Sequence, residues 1–436
     1  MSVVDLFAGC GGFGLGLEQA GFETIFVNEL NDDARATYIS NRMSHRFVRD
    51  VEGSLRVDQF SSSDARKMVK GDYLEKLQDR FQAVFGIKRG EIDLIVGGPP
   101  CQGFSAIGHR RSYAVDKEAL PSNHLFKDMA TIVGYLRPKA FVFENVRGLL
   151  TGRWTRDGEK GEIWRDVKRT FIEIGGYVLA AELVYAKNYG VAQNRPRIIL
   201  VGIRSDVIGE PATALAEIDA IDETATKRGF LPEKRPGSAP HPCELLGDLV
   251  DKGYEEALDA NKRLASTTRY PSKPENDIQR AFRTLPDGTV AGEGAPVTEH
   301  EYSKHSPEVV EKFQAMLQGG SYKATKKFAQ RVLPYFWPDE KKGPTITATS
   351  LPDDYVHFEQ RRTLTVREWA RLQGFPDWYE FKGKRTTGGV RRAGNPIEGI
   401  HFRELPKYTQ IGNAVPVPLA RAIGENLKEI LQKAKG

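Results

Sequence analysis

The chain has 436 residues, 63 Lys and Arg against 58 Asp and Glu, a formal net charge of +5, and 40% hydrophobic residues. This is the composition of an ordinary globular protein of two or three domains. No apolar run approaches the roughly 20 residues of a membrane span, which argues against a transmembrane protein. Cys10, Cys101 and Cys243 are odd in number and widely spaced, so neither a disulfide framework nor a metal site is expected. The opening Met1-Ser2-Val3-Val4-Asp5-Leu6-Phe7 enters a strand pattern directly and lacks a secretory leader, so a cytoplasmic location is expected. The modest positive charge is compatible with a polyanionic partner without requiring one.

Along residues 1–205, short apolar runs alternate with helical patterns, as in βαβ units. The runs Val3–Phe7, Thr24–Val27, Ile92–Val96, Ala140–Phe143 and Ile198–Ile203 are apolar almost throughout, as strands covered on both faces are. Residues 34–41, 125–136 and 163–174 carry apolar side chains at helical spacing. Residues 53–90 read as a polar, partly helical insertion. From about 206 the chain becomes rich in Pro, Gly, Ser, Thr and charge, with scattered aromatics, which suggests a loop-rich second domain. Helical pattern returns at Thr365–Leu372, and Pro418–Lys433 reads as an amphipathic C-terminal helix.

Four segments carry chemistry. Asp5-Leu6-Phe7-Ala8-Gly9-Cys10-Gly11-Gly12-Phe13-Gly14 lies between a strand and a helix, with Glu29 after the next strand. Glycines permit a tight turn and close backbone approach, and the acid suits two ribose hydroxyls. This pattern fits NAD, FAD or S-adenosylmethionine equally, or a turn that binds nothing. Next, a buried strand runs into Gly97-Gly98-Pro99-Pro100-Cys101-Gln102-Gly103-Phe104-Ser105, where two prolines stiffen the backbone before a thiol at a sheet's carboxyl edge. Cys101 there is either a nucleophile or a small apolar residue in a Pro-rich turn. Phe141-Val142-Phe143-Glu144-Asn145-Val146 ends an apolar strand in a poorly solvated carboxyl able to hold a proton for donation, or in a loop charge. Last, Gln193-Asn194-Arg195-Pro196-Arg197 projects two alternating arginines from one side of an extended segment. They suit gripping a carbonyl oxygen or phosphate, or form a basic edge.

In this order, these segments resemble the cytosine-5 DNA methyltransferase family of bacterial restriction–modification type. The resemblance extends through Arg362-Thr363-Leu364-Thr365-Val366-Arg367-Glu368-Trp369-Ala370-Arg371-Leu372-Gln373-Gly374-Phe375-Pro376 and ends at Gly412-Asn413-Ala414-Val415-Pro416-Val417-Pro418. It implies an α/β fold: a Rossmann-like, mostly parallel S-adenosylmethionine-dependent domain over 1–205, completed by 405–436. A smaller loop-rich target-recognition domain would occupy 206–404, with its variable stretch at about 206–355 and a Thr-containing segment Pro344-Thr345-Ile346-Thr347-Ala348 near its end. Carried over residue by residue, Phe7, Gly9, Gly11, Gly12, Glu29, Leu30, Asp50, Val51, Pro100, Leu125, Asn413 and Val415 would line the cofactor pocket. Cys101 would attack C6 of the target cytosine, Glu144 would bind N3 and the amino group, Arg197 would hold O2, and Arg195 would support Cys101. The product would be S-adenosylhomocysteine. Gln102 and Ser105, Arg110 and Arg111 on a mobile basic loop at 106–123, and Ser303, Lys304, His305, Ser321 and Lys323 would contact double-stranded DNA. A monomer at the nucleoid, with a cognate endonuclease encoded nearby, completes the picture. An RNA methyltransferase, a nucleotide-dependent oxidoreductase and a non-catalytic DNA-binding homologue are the competing readings. The 164 residues between Arg197 and Arg362 favour DNA over tRNA.

Overall fold

The computed structural model describes residues 1–100, 121–155, 157–222, 225–320, 331–336, 344–346, 354–387 and 404–434. Seven strands form the central sheet: β1 (Ser2–Leu6), β2 (Glu23–Asn28), β3 (Ser61–Ser62), β4 (Leu94–Gly97), β5 (Ala140–Val146), β6 (Tyr177–Tyr185) and β7 (Pro196–Arg204). Their order is β3-β2-β1-β4-β5-β7-β6. The first five are parallel, and β7 runs antiparallel between β5 and β6. The sheet is thus mostly parallel, as the unbroken apolar runs require. The strand order turns back between β1 and β4, so a crevice opens at the carboxyl ends of these two strands.

Alternation along each strand feeds two core layers. Val4, Leu6, Ile95, Phe141 and Phe143 face one side, while Val3, Leu94, Val96 and Val142 face the other. The first side is covered by α3 (Tyr73–Phe85), α4 (Leu125–Leu136) and α5 (Glu162–Ile172), numbered after α1 (Gly12–Gln19) and α2 (Asp32–Ser40). Residues 53–90 are therefore not a polar insertion. They supply edge strand β3 and, through Phe60, Leu77 and Phe81 of zero exposure, part of the main core. Phe60 stacks on Phe81 at 6.3 Å, and Phe81 meets Phe26 of β2 edge-on at 6.2 Å. Strand β6 escaped the sequence reading because its centre, Ala180-Ala181-Glu182, has weak strand propensity.

The second side is covered by α1 and the long C-terminal helix Val417–Lys433. Their backbones approach so closely that a Cβ on Gly16 would lie 2.5 Å from both Ala420 Cβ and the Val417 carbonyl. Glycines in this run thus serve helix packing as much as any ligand.

Between β7 and the C-terminal helix lie short helices at Pro242–Leu246, Lys252–Asp259, Asp277–Arg283, Pro307–Leu317, Val366–Leu372 and Lys407–Asn413, and a two-stranded pair, Arg331–Val332 with Tyr355–Val356. A third core joins this region to the sheet domain, since Cys10, Leu15 and Ala192 pack with Leu245, Trp369, Phe375, Tyr379 and Ile411. Buried ion pairs stitch it internally. Arg371 Nη2 meets Asp377 Oδ2 at 2.6 Å and its Nη1 meets Asp248, which also accepts from Arg283 Nε at 2.7 Å. Such charges persist in a core only when paired on every side, as here. No helix among the described residues is long and apolar enough to cross a membrane.

Candidate active site

Two corners of the sheet's carboxyl edge hold the residues singled out above. At the first, Phe7 (φ 54°), Gly9 (φ 57°) and Gly11 (φ 93°) turn the chain from β1 into α1 through the left-handed region. A Cβ on Gly9 would meet nothing within 4 Å, so this glycine faces open space. The other glycines face protein: a Cβ on Gly11 would lie 2.6 Å from Tyr379 Oη, and one on Gly12 only 2.3 Å from the Val415 carbonyl. Glu29, at the end of β2, accepts from Gly9 N at 2.8 Å through one oxygen and from Asn31 N at 2.7 Å through the other. Burial raises the Glu29 pKa, opposed by those two amides and by Arg35. Leu30 beside it is 64% exposed, and Val51 is also fully exposed. Asp50 caps its own turn, its Oδ1 accepting from Glu52 N at 3.0 Å and Ser54 N at 2.7 Å. Leu125 is half-buried at the start of α4, Pro100 and Asn413 are exposed, and Val415 is buried.

Beneath this loop lies Asp5, a residue the sequence reading gave no role. Its side chain is buried, Oδ2 accepts from Tyr38 Oη at 3.1 Å, and Oδ1 has no partner. Burial pushes its pKa up to about 7 from 3.8, against the pull of Arg42 and the Tyr38 hydrogen bond. The folded chain therefore keeps a proton that the unfolded chain releases near 3.8, and stability falls as pH rises from there to about 7. Asp5→Asn is expected to remove that slope, a difference on the order of a few kcal/mol. Denaturant unfolding of both proteins at about pH 4 and about pH 8 measures it; equal slopes would refute the assignment.

At the second corner, β4, β5 and β7 converge. Arg197 Nε lies 2.6 Å from Glu144 Oε1, both side chains being almost wholly buried. Gly98 sits against this pair: a Cβ there would stand 2.8 Å from Glu144 Oε2. Asn145 Nδ2 donates to the Pro99 carbonyl at 3.0 Å, fixing the turn that leads to Pro100. Gly98 and Asn145 were quoted in the motifs without roles; their signal was adjacency to the two prolines and to Glu144. Burial lowers the pKa of both arginines, with Glu144 opposing it in each case. Since guanidinium groups stay protonated in proteins, Arg197 and Glu144 form a buried ion pair, with the Arg195 cation close enough to feel its charge. The corner can hold a partly negative oxygen.

Arg195 itself directs Nη1 to the Ile346 carbonyl and Nη2 to those of Gly412, at 2.7 Å, and Ala414, at 3.2 Å. Cys101, Gln102, Ser105, Arg110, Arg111, Ser321 and Lys323 lie outside the described residues. Cys101 directly follows Pro100 in the sequence. Of the DNA-contact candidates that are described, Lys304 is exposed and Ser303 half-buried. His305 packs inward, its ring 5.1 Å from Phe313 and its Nε2 3.4 Å from Thr363 Oγ1. His300 and Tyr302 of the same segment are buried, and burial drops the His300 pKa to about 4. Within residues 299–306, Glu299, His300 and Tyr302 are buried, whereas Glu301, Lys304 and Ser306 are exposed.

A model of the C-5 cytosine-specific DNA methylase family matches residues 1–429. The chain belongs to this family. Among its relatives, the type II methyltransferase M.DdeI of Desulfomicrobium norvegicum is 29% identical over 98% of this chain and 88% of its own length. The type II methyltransferase M1.HphI of Haemophilus parahaemolyticus is 27% identical over 98% and 86%. A crystal structure of an Escherichia coli protein described as a prophage-encoded DNA modification methyltransferase superposes with a TM-score of 0.61 at 21% identity, covering 99% of both chains. At that identity the likeness speaks for the fold. Family membership replaces the oxidoreductase reading of the glycine run.

Proposed function

We propose that this family member transfers a methyl group from S-adenosylmethionine to C5 of a cytosine flipped out of a specific double-stranded DNA sequence, through a covalent Cys101–C6 intermediate. The observation that carries the reading is the buried Arg197–Glu144 pair, packed on Gly98 just before the Pro99-Pro100 turn in the sequence. The first corner fits the cofactor: Gly9 leaves room for a ligand, Glu29 supports the loop beside it, and exposed Leu30 and Val51 offer apolar cover. Phe7, Gly11, Gly12, Asp50, Pro100, Leu125, Asn413 and Val415 complete that site in this reading. When bound, S-adenosylmethionine supplies an electrophilic methyl on a sulfonium sulfur.

C5 of cytosine is too weak a nucleophile to take that methyl unaided. The Cys101 thiolate adds to C6, and the electron pair displaced from the ring double bond makes C5 nucleophilic. Arg197 turns from Glu144 to the cytosine O2, where negative charge gathers. Freed of its partner, the Glu144 carboxylate takes up a proton from solvent, offers it to N3 and accepts from the exocyclic amine, and that proton returns when the C6–S bond breaks. After C5 takes the methyl, its proton passes to solvent, the C6–S bond breaks, and the thiolate returns. This geometry needs the base outside the stack, which costs a few kcal/mol of unstacking.

Residues 206–404 would form the recognition domain, 206–355 reading the sequence, because the residues of both corners serve cofactor or base. The protein would act as a monomer in the cytoplasm, with an endonuclease of the same specificity nearby. The test is transfer of labelled methyl to duplex DNA, tRNA or neither, followed by bisulfite sequencing of the DNA. Label on tRNA alone would establish the RNA reading, and label on neither would sink both.

A further inference from the structure

Residues 193–195, just ahead of β7, bind three other segments of the chain at once. Gln193 has zero exposure; its Oε1 accepts from Ile346 N at 2.9 Å, and its Nε2 donates to the Leu372 carbonyl at 2.6 Å. The Asn194 backbone pairs with 344–346 from both sides, its N donating to the Pro344 carbonyl at 2.9 Å and its carbonyl accepting from Thr345 Oγ1 at 2.8 Å. Arg195, 1% exposed, then bridges the Ile346 carbonyl to the Gly412 and Ala414 carbonyls. Those last two flank Asn413, whose side chain is exposed. One guanidinium thus fixes the backbone on both sides of Asn413 while its other nitrogen holds segment 344–346.

We propose that Arg195 is a positioning residue that transmits the placement of segment 344–346 to Asn413, so that DNA binding and cofactor binding are energetically coupled through it. The proposal rests on the reading above, in which Asn413 lines the cofactor pocket and 206–355 reads DNA. A buried carbonyl that loses its donor finds no water to replace it, so a displacement at Ile346 must move the guanidinium or break its bonds. The planar fork makes the bridge possible, because rigidly spaced nitrogens address both segments together. A lysine ammonium keeps the charge but, as a point donor, serves one segment at a time. Coupling of this kind is reciprocal: the factor by which DNA tightens the cofactor is the factor by which the cofactor tightens DNA.

The experiment uses the full chain, titrated calorimetrically with S-adenosylhomocysteine alone and in the presence of a duplex that the wild type methylates. Wild type is expected to bind S-adenosylhomocysteine several-fold more tightly with the duplex present. Arg195→Lys should weaken S-adenosylhomocysteine binding by about tenfold and reduce the duplex effect to none. Thr345→Val removes the bond to Asn194 without touching the cofactor motif. It should leave S-adenosylhomocysteine binding alone unchanged within about twofold while diminishing the duplex effect. In both, KM should move more than kcat. Thermal melting controls for folding, and should Arg195→Lys not fold, Thr345→Val decides alone. An undiminished duplex effect in the variants, or none in wild type, overturns the proposal. So does Arg195→Lys with normal binding and a kcat lowered about a hundredfold, which would put Arg195 at the reacting base or at Cys101. A wild type that methylates no duplex at all would instead refute the functional reading on which this one rests.

Discussion

Cys101→Ala is expected to abolish methyl transfer, to below about one part in 10⁴ of wild type, while S-adenosylhomocysteine binding stays within a few-fold. Without the thiolate no electron density reaches C5, and among the described residues of the second corner there is no nucleophile of comparable strength. The remaining thiols are poor substitutes. Cys10 is fully buried, donates to the Gln410 carbonyl at 3.3 Å, and has its pKa driven far up by burial. Cys243 is half-buried and likewise shifted upward by burial. Cys10→Ala and Cys243→Ala should therefore remain active. DNA carrying 5-fluorocytosine adds a second readout: fluorine at C5 cannot leave as a proton does, so the wild type should stall as a covalent adduct stable to denaturation. Normal methylation by Cys101→Ala, or adduct formation by that variant, would show that the mechanism is wrong.

Glu144→Gln should lower the single-turnover rate by about 10²–10⁴-fold. The amide preserves the shape beside Gly98, where a Cβ would stand only 2.8 Å from Glu144 Oε2, so packing is little disturbed. What it loses is the proton for N3 and the ion pair with Arg197. S-adenosylhomocysteine affinity should hold within a few-fold, because Glu144 lies at the second corner and the cofactor residues are placed at the first. Asp50→Ala should show the opposite pattern, with cofactor binding weakened and chemistry preserved in enzyme that has bound it. A Glu144→Gln protein that bound S-adenosylhomocysteine poorly yet reacted at full speed would exchange the roles of the two corners.

Much of this was written in the sequence because the signals are local. Strands covered on both faces must be apolar at nearly every position, so β1, β2, β4, β5 and β7 stood out, though the β5 run stopped at Phe143, short of the strand's end at Val146. The motifs sit at strand ends, and an α/β sheet gathers strand ends along one edge, so Glu144, Arg197 and the Pro99-Pro100 turn could be grouped without coordinates.

What the sequence left undecided depends on partners far along the chain. Residues 53–90 read as an insertion because their apolar positions, Phe60, Leu77 and Phe81, form a face only once β2 stands beside them. The glycine run read as one ligand cradle, yet which glycine faces open space was settled by Val415, Ala420 and Tyr379, hundreds of residues away. Ser303, Lys304 and His305 read alike as DNA contacts, yet packing turned His305 inward onto Phe313 while Lys304 stayed exposed. Arg195 and Arg197 are indistinguishable as a spaced pair of cations. Tertiary structure separated them, giving one a carboxylate and the other three backbone carbonyls, because a buried guanidinium must find acceptors and no local pattern says where those acceptors will be.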